Sequence, residues 1–330
     1  MKRSIICSVS VCLCILVSLW LFGCANVEKS VEGEKRIAIV VKSVDSDFWH
    51  SVKEGVDSAS TEYNVSVLFE GPANEEDYMT QNSMIEKAIQ EKYDAIVFSA
   101  IDEEKSAKYV DSAVRNGLKV IAIDSGVNSQ LVDMFIGTDN ISAGTAAADA
   151  VTEHFDRDKA KGGKMKIGLV TCSAETENIK SRETGFREVI DKLPGAEIVA
   201  EVGVNNNKIS ATLGALDLLR KNPEINVLVG FNEWTTLGVG YAIESMEAGE
   251  SVLGVGFDTN LVSVGMMETG EMDILIVQNP FAIGYLGVEY AARLISGEAV
   301  PEKEVYTDVT AVTRENLYDE EIQKMVFRFE

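Results

Sequence analysis

The sequence predicts an α/β protein made of two doubly wound parallel-sheet lobes. Three observations lead to that expectation. Short β-branched runs alternate with helix-length amphipathic stretches from residue 36 onward. The series breaks near residue 139, and two α/β halves are more natural than one very large sheet. The 307 residues that follow residue 23 of this 330-residue chain are enough for two substantial cores.

The elements follow in order. Strands are expected at RIAIVV (36–41), NVSVLFE (64–70), AIVFS (95–99), KVIAID (119–124) and MFIGT (134–138). A second set covers KIGLVT (166–171), EIVAEV (197–202), VLVGF (227–231), VLGVGF (252–257) and DILIVQ (273–278). Helical patterns fill most intervals, among them FWHSVKEGVDSASTE, YMTQNSMIEKAIQEK, EKSAKYVDSAVRNG, AGTAAADAVTEHFD, SRETGFREVIDKL and SATLGALDLLRKNP. Apolar strands in this alternation specify parallel sheets covered by helices on both faces.

The N-terminus has a different character. Lys2 and Arg3 precede the almost uncharged run IICSVSVCLCILVSLWLFG, the form of a secretory signal. The run approaches the length of a membrane span, which is the competing reading. Leu21-Phe22-Gly23-Cys24 resembles the cleavage box of bacterial lipoproteins, in which the cysteine is lipidated and becomes the first mature residue. The expectation is a signal peptide over 1–23, lipid on Cys24 and a polar tether over 24–34. Cys7, Cys12 and Cys14 leave with such a signal, so Cys172 alone remains free. No intrachain disulfide framework is then possible, and stability must come from the core. Cys172 follows the apolar run IGLV, so it reads as a packed strand-end thiol rather than a reactive one.

The formal charge is −23, and loss of Lys2 and Arg3 takes it to −25. A body this acidic, with no basic stripe, repels a phosphate backbone and argues against nucleic-acid binding. Catalytic signatures are missing too. Neither His50 nor His154 has a companion at metal-ligand spacing, and no HExxH, CxxC, GxSxG, GxxxxGK[ST] or GxGxxG pattern occurs. The expectation is a binding protein that is not an enzyme and carries no metal or cofactor.

In open α/β sheets ligands bind beyond the carboxyl ends of the strands. That rule selects the loops 42–49, 99–102, 124–125, 138–140, 171–176, 231–234, 257–260 and 278–279, rich in hydrogen-bonding groups with aromatics among them.

Taken together, RIAIVVKSVDSDFWHSVKEGVDSA, QNSMIEKAIQEKYDAIVFSAIDEE, GLKVIAIDSGV with FIGTDNISAG, SRETGF, VLVGFNEWTTLGVGYAIES, VLGVGFD and the late Gln278 with IGYLGVEYAARLISGE carry a resemblance. The chain is similar, across roughly 35–325, to periplasmic binding proteins of the ribose/galactose type, the substrate-binding components of sugar ABC transporters. The resemblance implies the type I periplasmic binding protein fold, with lobes over 35–138 plus 279–306 and 139–278 plus 307–330. Three crossings near 138–140, 278–280 and 305–308 would form the hinge.

The same resemblance supplies candidate contacts. Phe48 and Trp49 stand where that family sandwiches a sugar ring between aromatics, while a core place is the competing reading for one of them. Asp124, Arg182, Asn232, Asp258 and Gln278 match family positions that bond sugar hydroxyls, with a structural ion pair or turn cap as the alternative for the charged ones. Thr138 at the first crossing joins them. Departures from the ribose pattern stand at Lys42, at Ser46, at Ser99 in place of an asparagine, and at Asn206 and Lys208 in the second lobe. The ligand implied is a small polar molecule, foremost a sugar, and a different monosaccharide, an oligosaccharide or another polar solute stays open. The implied partner is an ABC permease, or else a membrane sensor such as a histidine kinase, for a monomer held at the membrane by its lipid.

Overall fold

The computed structural model describes residues 33–156, 163–172, 176–300 and 302–326. The expected signal peptide, the lipidated Cys24 and nearly all of the tether lie outside the described residues.

The first half of the fold runs β1 (Arg36–Val40), α1 (Asp47–Tyr63), β2 (Ser66–Glu70), α2 (Tyr78–Gln90), β3 (Ala95–Phe98), α3 (Glu103–Arg115), β4 (Lys119–Ile123) and β5 (Met134–Thr138). The second runs α4 (Asn140–His154), β6 (Met165–Cys172), α5 (Glu177–Ile190), β7 (Ala196–Val204), α6 (Lys208–Lys221), β8 (Val227–Gly230), α7 (Glu233–Ser245), β9 (Leu253–Phe257), α8 (Leu261–Thr269) and β10 (Ile274–Val277). The chain then returns through α9 (Pro280–Ile295) and β11 (Glu304–Thr307), and ends with β12 (Thr310–Thr313) and α10 (Glu320–Val326). All ten strands expected from the sequence form, with ends shifted by no more than two residues.

Two six-stranded sheets result, ordered β11-β5-β4-β3-β1-β2 and β12-β10-β9-β8-β6-β7. Central strands are buried throughout, as β3 and β8 show, because helices cover both faces. Each sheet has its own cores, one of Ile37, Ile39, Val97 and Ile121 with α1 and α9, and one of Ile167, Leu169, Val229 and Val255 with α4 and α5. The chain passes between the sheets at 139, at 278–279 and at 308–309.

One strand departs from the parallel expectation. β12 pairs antiparallel to β10, Ile274 opposite Thr313. β11 runs toward the hinge, parallel to β5, and after a two-residue link β12 enters the other sheet running away from the hinge, opposite to β10.

The helix pairs beside the hinge pack with almost no side chain between them. A Cβ on Gly144 of α4 would lie 1.9 Å from the carbonyl oxygen of Arg182, and one on Gly185 of α5 would lie 2.0 Å from that of Ile141. The α1–α9 pair repeats the arrangement, with Gly55 against Phe281 and Gly284 against Val52. Backbone-to-backbone contact therefore fixes where Arg182 and the N-terminus of α1 sit.

Candidate functional site

In both sheets the winding reverses at the strand that opens the lobe: β1 lies between β2 and β3, and β6 between β7 and β8. Loops at such a switch point diverge and leave a crevice at the carboxyl ends. Here the two crevices face one another, and their polar side chains meet in a small cavity of about 30 Å³.

Lys42, two residues past the end of β1 at Val40, is an ammonium buried at 4% side-chain exposure. Its Nζ lies 2.9 Å from Oδ2 of Asp124, itself 3% exposed. Ser99 donates to the same oxygen at 2.9 Å, and Asn178 of α5 donates to Oδ1 at 3.2 Å, so Asp124 bridges the lobes. Asp124 has φ 57° and its counterpart Asp258 φ 65°. Each follows the last residue of a strand, and each backbone N–H donates to the neighbouring strand, to Ile136 and to Ile276. Aspartate accepts the left-handed region more readily than most side chains, and such outliers cluster at ligand sites. The two lobes thus present their carboxylates by the same backbone device.

Arg182 is 1% exposed. Its Nε donates to Asn140 and its Nη1 to the carbonyl of Phe231, both at 2.9 Å, and its guanidinium lies over the Phe257 ring at 4.8 Å. Nη2 has no hydrogen-bond partner. Gln278 links the crossings to the second lobe: it accepts from Thr138 Oγ1 at 2.7 Å and donates to Asp258 at 2.6 Å. Asn232 caps α7 through a reciprocal bond with Thr235, and Ser46 caps α1 by accepting from Trp49 N.

Phe48 and Trp49 touch both worlds. They pack edge to face at 5.0 Å within the first-lobe core, and both also line the cavity. Trp49 is 1% exposed, so what it offers the cavity is an edge held rigidly by its indole bond to Glu75 at 3.0 Å.

Of the thirteen residues singled out from the sequence, nine line this cavity: Lys42, Ser46, Phe48, Trp49, Asp124, Arg182, Asn232, Asp258 and Gln278. Ser99 and Thr138 stand behind them, orienting Asp124 and Gln278. Asn206 also acts at one remove, donating to Glu75 at 2.8 Å and accepting from Asn232 at 2.6 Å. Lys208 does not line the cavity: it is exposed at the start of α6, and its ammonium lies 5.8 Å from the Tyr241 ring. Helix α6 turns it along its own lobe instead of into the cavity.

Five cavity residues were not singled out as contacts from the sequence: Glu75, Asn178, Ile179, and Glu233 and Trp234, the last two inside the selected loop 231–234. Glu75 sits in the loop after β2, and applying the carboxyl-end rule to that strand would have found it. Asn178 opens α5, and Glu233 and Trp234 directly follow the recognised Asn232. Burial pushes the Glu233 carboxyl up to about 7, and the charges of Asp258 and Asp47 add to the rise. Burial likewise raises Glu75 and Asp258 above the ordinary carboxylate range. Cys172 donates to Asn206 at 3.0 Å, and burial drives its thiol up to about 12, which makes it inert.

The raised Glu233 has a signed consequence. Between its unfolded value near 4.5 and about 7 the folded protein holds the extra proton, so this group's stabilising contribution is full below that window and is lost as pH rises through it. We expect Glu233→Gln to be less sensitive to pH over that window than the parent, by a difference of up to about 3 kcal/mol. Urea unfolding of the pair at several pH values measures it, and parallel pH profiles would refute the assignment.

A larger cavity of about 520 Å³ flanks the first crossing, lined by Phe135, Asp139, Ile141, Glu177 and Tyr306 among others. It contains Thr138 but none of the other predicted contacts, and Ile141 and Tyr306 are themselves exposed. The convergence of buried polar groups belongs to the small cavity.

Comparison with known proteins follows the same lines. The profile of the periplasmic binding protein domain matches residues 37–299. The D-allose-binding periplasmic protein of Escherichia coli K12 is 25% identical over 272 residues, 80% of this chain and 86% of that protein. The ribose import binding protein of Bacillus subtilis 168 is 25% identical over 88% of this chain and 94% of its own length. A carbohydrate transporter solute-binding protein from Agrobacterium radiobacter, solved in complex with D-arabinose, superposes with a TM-score of 0.85 at 30% identity, over 90% of this chain and all of that one.

Proposed function

The chain belongs to the periplasmic binding protein domain family, and on that premise we propose that it captures a sugar-like ligand between its lobes and delivers it to an ABC permease. The observation that carries the reading is the cavity itself. Nine groups anticipated as contacts converge there from both lobes, all buried, with Lys42 paired to Asp124 and Gln278 bonded to Asp258. Such a site is pre-organised to replace the water around a polyhydroxylated molecule with fixed donors and acceptors. Phe48, Trp49 and Trp234 add apolar surface for the C–H face of a ring. Contacts drawn from two lobes favour the closed form, so binding acts as a population shift. The arrangement does binding and no bond chemistry.

We place the protein outside the cytoplasm, held by lipid on Cys24, from the leader and its Leu21-Phe22-Gly23-Cys24 box. Labelling with a radioactive fatty acid that persists after Cys24→Ser would refute the anchor.

Thermal unfolding of the chain from Ala25 onward tests the ligand class, against pentoses, hexoses, short oligosaccharides, nucleosides and polyamines. A ligand at roughly a hundred times its dissociation constant adds about 2.7 kcal/mol to stability, a shift easily read. A shift with one sugar supports the proposal. No shift with any sugar, on protein refolded free of bound ligand, sinks it in favour of another polar solute.

A further inference from the structure

We propose that the ligand of this cleft carries a protonated amine, as an aminated sugar or polyol does, and that Glu233 and Glu75 are the carboxylates that select it. The proposal rests on the sugar-like reading above and narrows it. It begins with charge. The cavity wall holds two cations, Lys42 and Arg182, against four carboxylates: Glu75, Asp124, Glu233 and Asp258. Lys42 is engaged by Asp124 at 2.9 Å, and Arg182 is the cation that most favours ionised Asp258.

Glu75 and Glu233 are left without a cation of their own. Glu75, 9% exposed, accepts from Trp49 and Asn206, and Lys42 acts on it only as a charge shared with Asp124. Glu233, 8% exposed, accepts from Asn260 at 3.0 Å on Oε1, while Oε2 is buried with no hydrogen-bond partner. An ionised carboxylate in such surroundings is costly unless it takes up a proton or meets a cation. Among the described residues, the other buried side-chain atom of the wall with no hydrogen-bond partner is Nη2 of Arg182. The cavity therefore wants a ligand that donates strongly at one end, with charge, and accepts at the other. A hydroxyl fills Oε2 but leaves the surplus negative charge, whereas an ammonium answers both.

The test compares matched pairs by isothermal titration on the full chain purified in detergent. D-glucosamine, D-galactosamine, D-mannosamine and 1-amino-1-deoxypentitols are set against their neutral parents. At about pH 7.5 the best amine is expected to bind roughly tenfold or more tightly than its parent, with the ratio shrinking toward about pH 5 as protons occupy the carboxylates. The groups that set this response are Asp258, Asp47, Asn260 and the Phe48 N–H around Glu233, and Lys42, Asp124, Asp258, Trp49 and Asn206 around Glu75. Glu233→Gln and Glu75→Gln should each cut the amine-to-parent ratio by roughly tenfold. Neutral parents binding as tightly as the amines, or ratios untouched by both variants, overturn this inference while leaving the sugar reading intact. Failure of every sugar, amine or neutral, overturns both. Should a variant not fold, the parent protein's ratio and its pH trend decide.

Discussion

Replacing Asp124 by alanine is expected to lower ligand affinity at least about a hundredfold and to destabilise the protein by roughly 3–5 kcal/mol. Three donors converge on this carboxylate: Lys42, Ser99 and, from the opposite lobe, Asn178. Its removal leaves the Lys42 ammonium at 4% exposure without its ion-pair partner, and a buried charge stripped of its paired group is the expensive outcome. The two effects separate in the double variant. Lys42→Met with Asp124→Ala replaces the ion pair by apolar volume, so it should recover most of the stability but none of the affinity. Urea unfolding and isothermal titration across the four proteins give the full cycle. Unchanged affinity in Asp124→Ala would remove this residue from the site, and a double variant as unstable as the single one would remove the stranded lysine from the explanation.

The second large effect comes from a residue with no side chain. Gly144→Val should cost about 3 kcal/mol or more, because overpacking a close helix crossing forces the backbones apart. The added Cβ would sit 1.9 Å from the Arg182 carbonyl oxygen, 2.8 Å from its carbonyl carbon and 2.9 Å from Phe186 N, none of which is a flexible tip. Since α4 and α5 then separate, Arg182 loses its bond to Asn140, and affinity should fall along with stability. Gly265 in α8 is the control. Nothing lies within 4 Å of its would-be Cβ and its φ is ordinary, so Gly265→Ala should be neutral or stabilising by up to about 1 kcal/mol. Equal losses in the two variants, measured by denaturant unfolding, would show that helix crossing is not the cause.

The sequence by itself determined the strand and helix alternation, the break between halves and the loops that carry the chemistry. These are legible because period-2 and period-3.6 patterns are local and because strand-end loops are where α/β sheets bind. The family resemblance carried by those segments named Asp124, Asp258 and Asn232 as candidate contacts, and the caps that Ser46 and Asn232 form came from the structure. Only the tertiary structure decided which loop residues meet. Glu75 faces Asn206 across 131 positions of sequence, and no local pattern sets that pairing. Lys208 and Asn206 are two residues apart, yet the start of α6 keeps one in the network and turns the other outward over Tyr241. Trp49 serves the core and the cavity at once, a double role that periodicity cannot express. The antiparallel β12 follows from a two-residue crossing whose direction depends on where the second lobe stands. The charge surplus that gives the cleft its chemistry exists only once two lobes bring four carboxylates and two cations together out of water, where each one's cost depends on its neighbours.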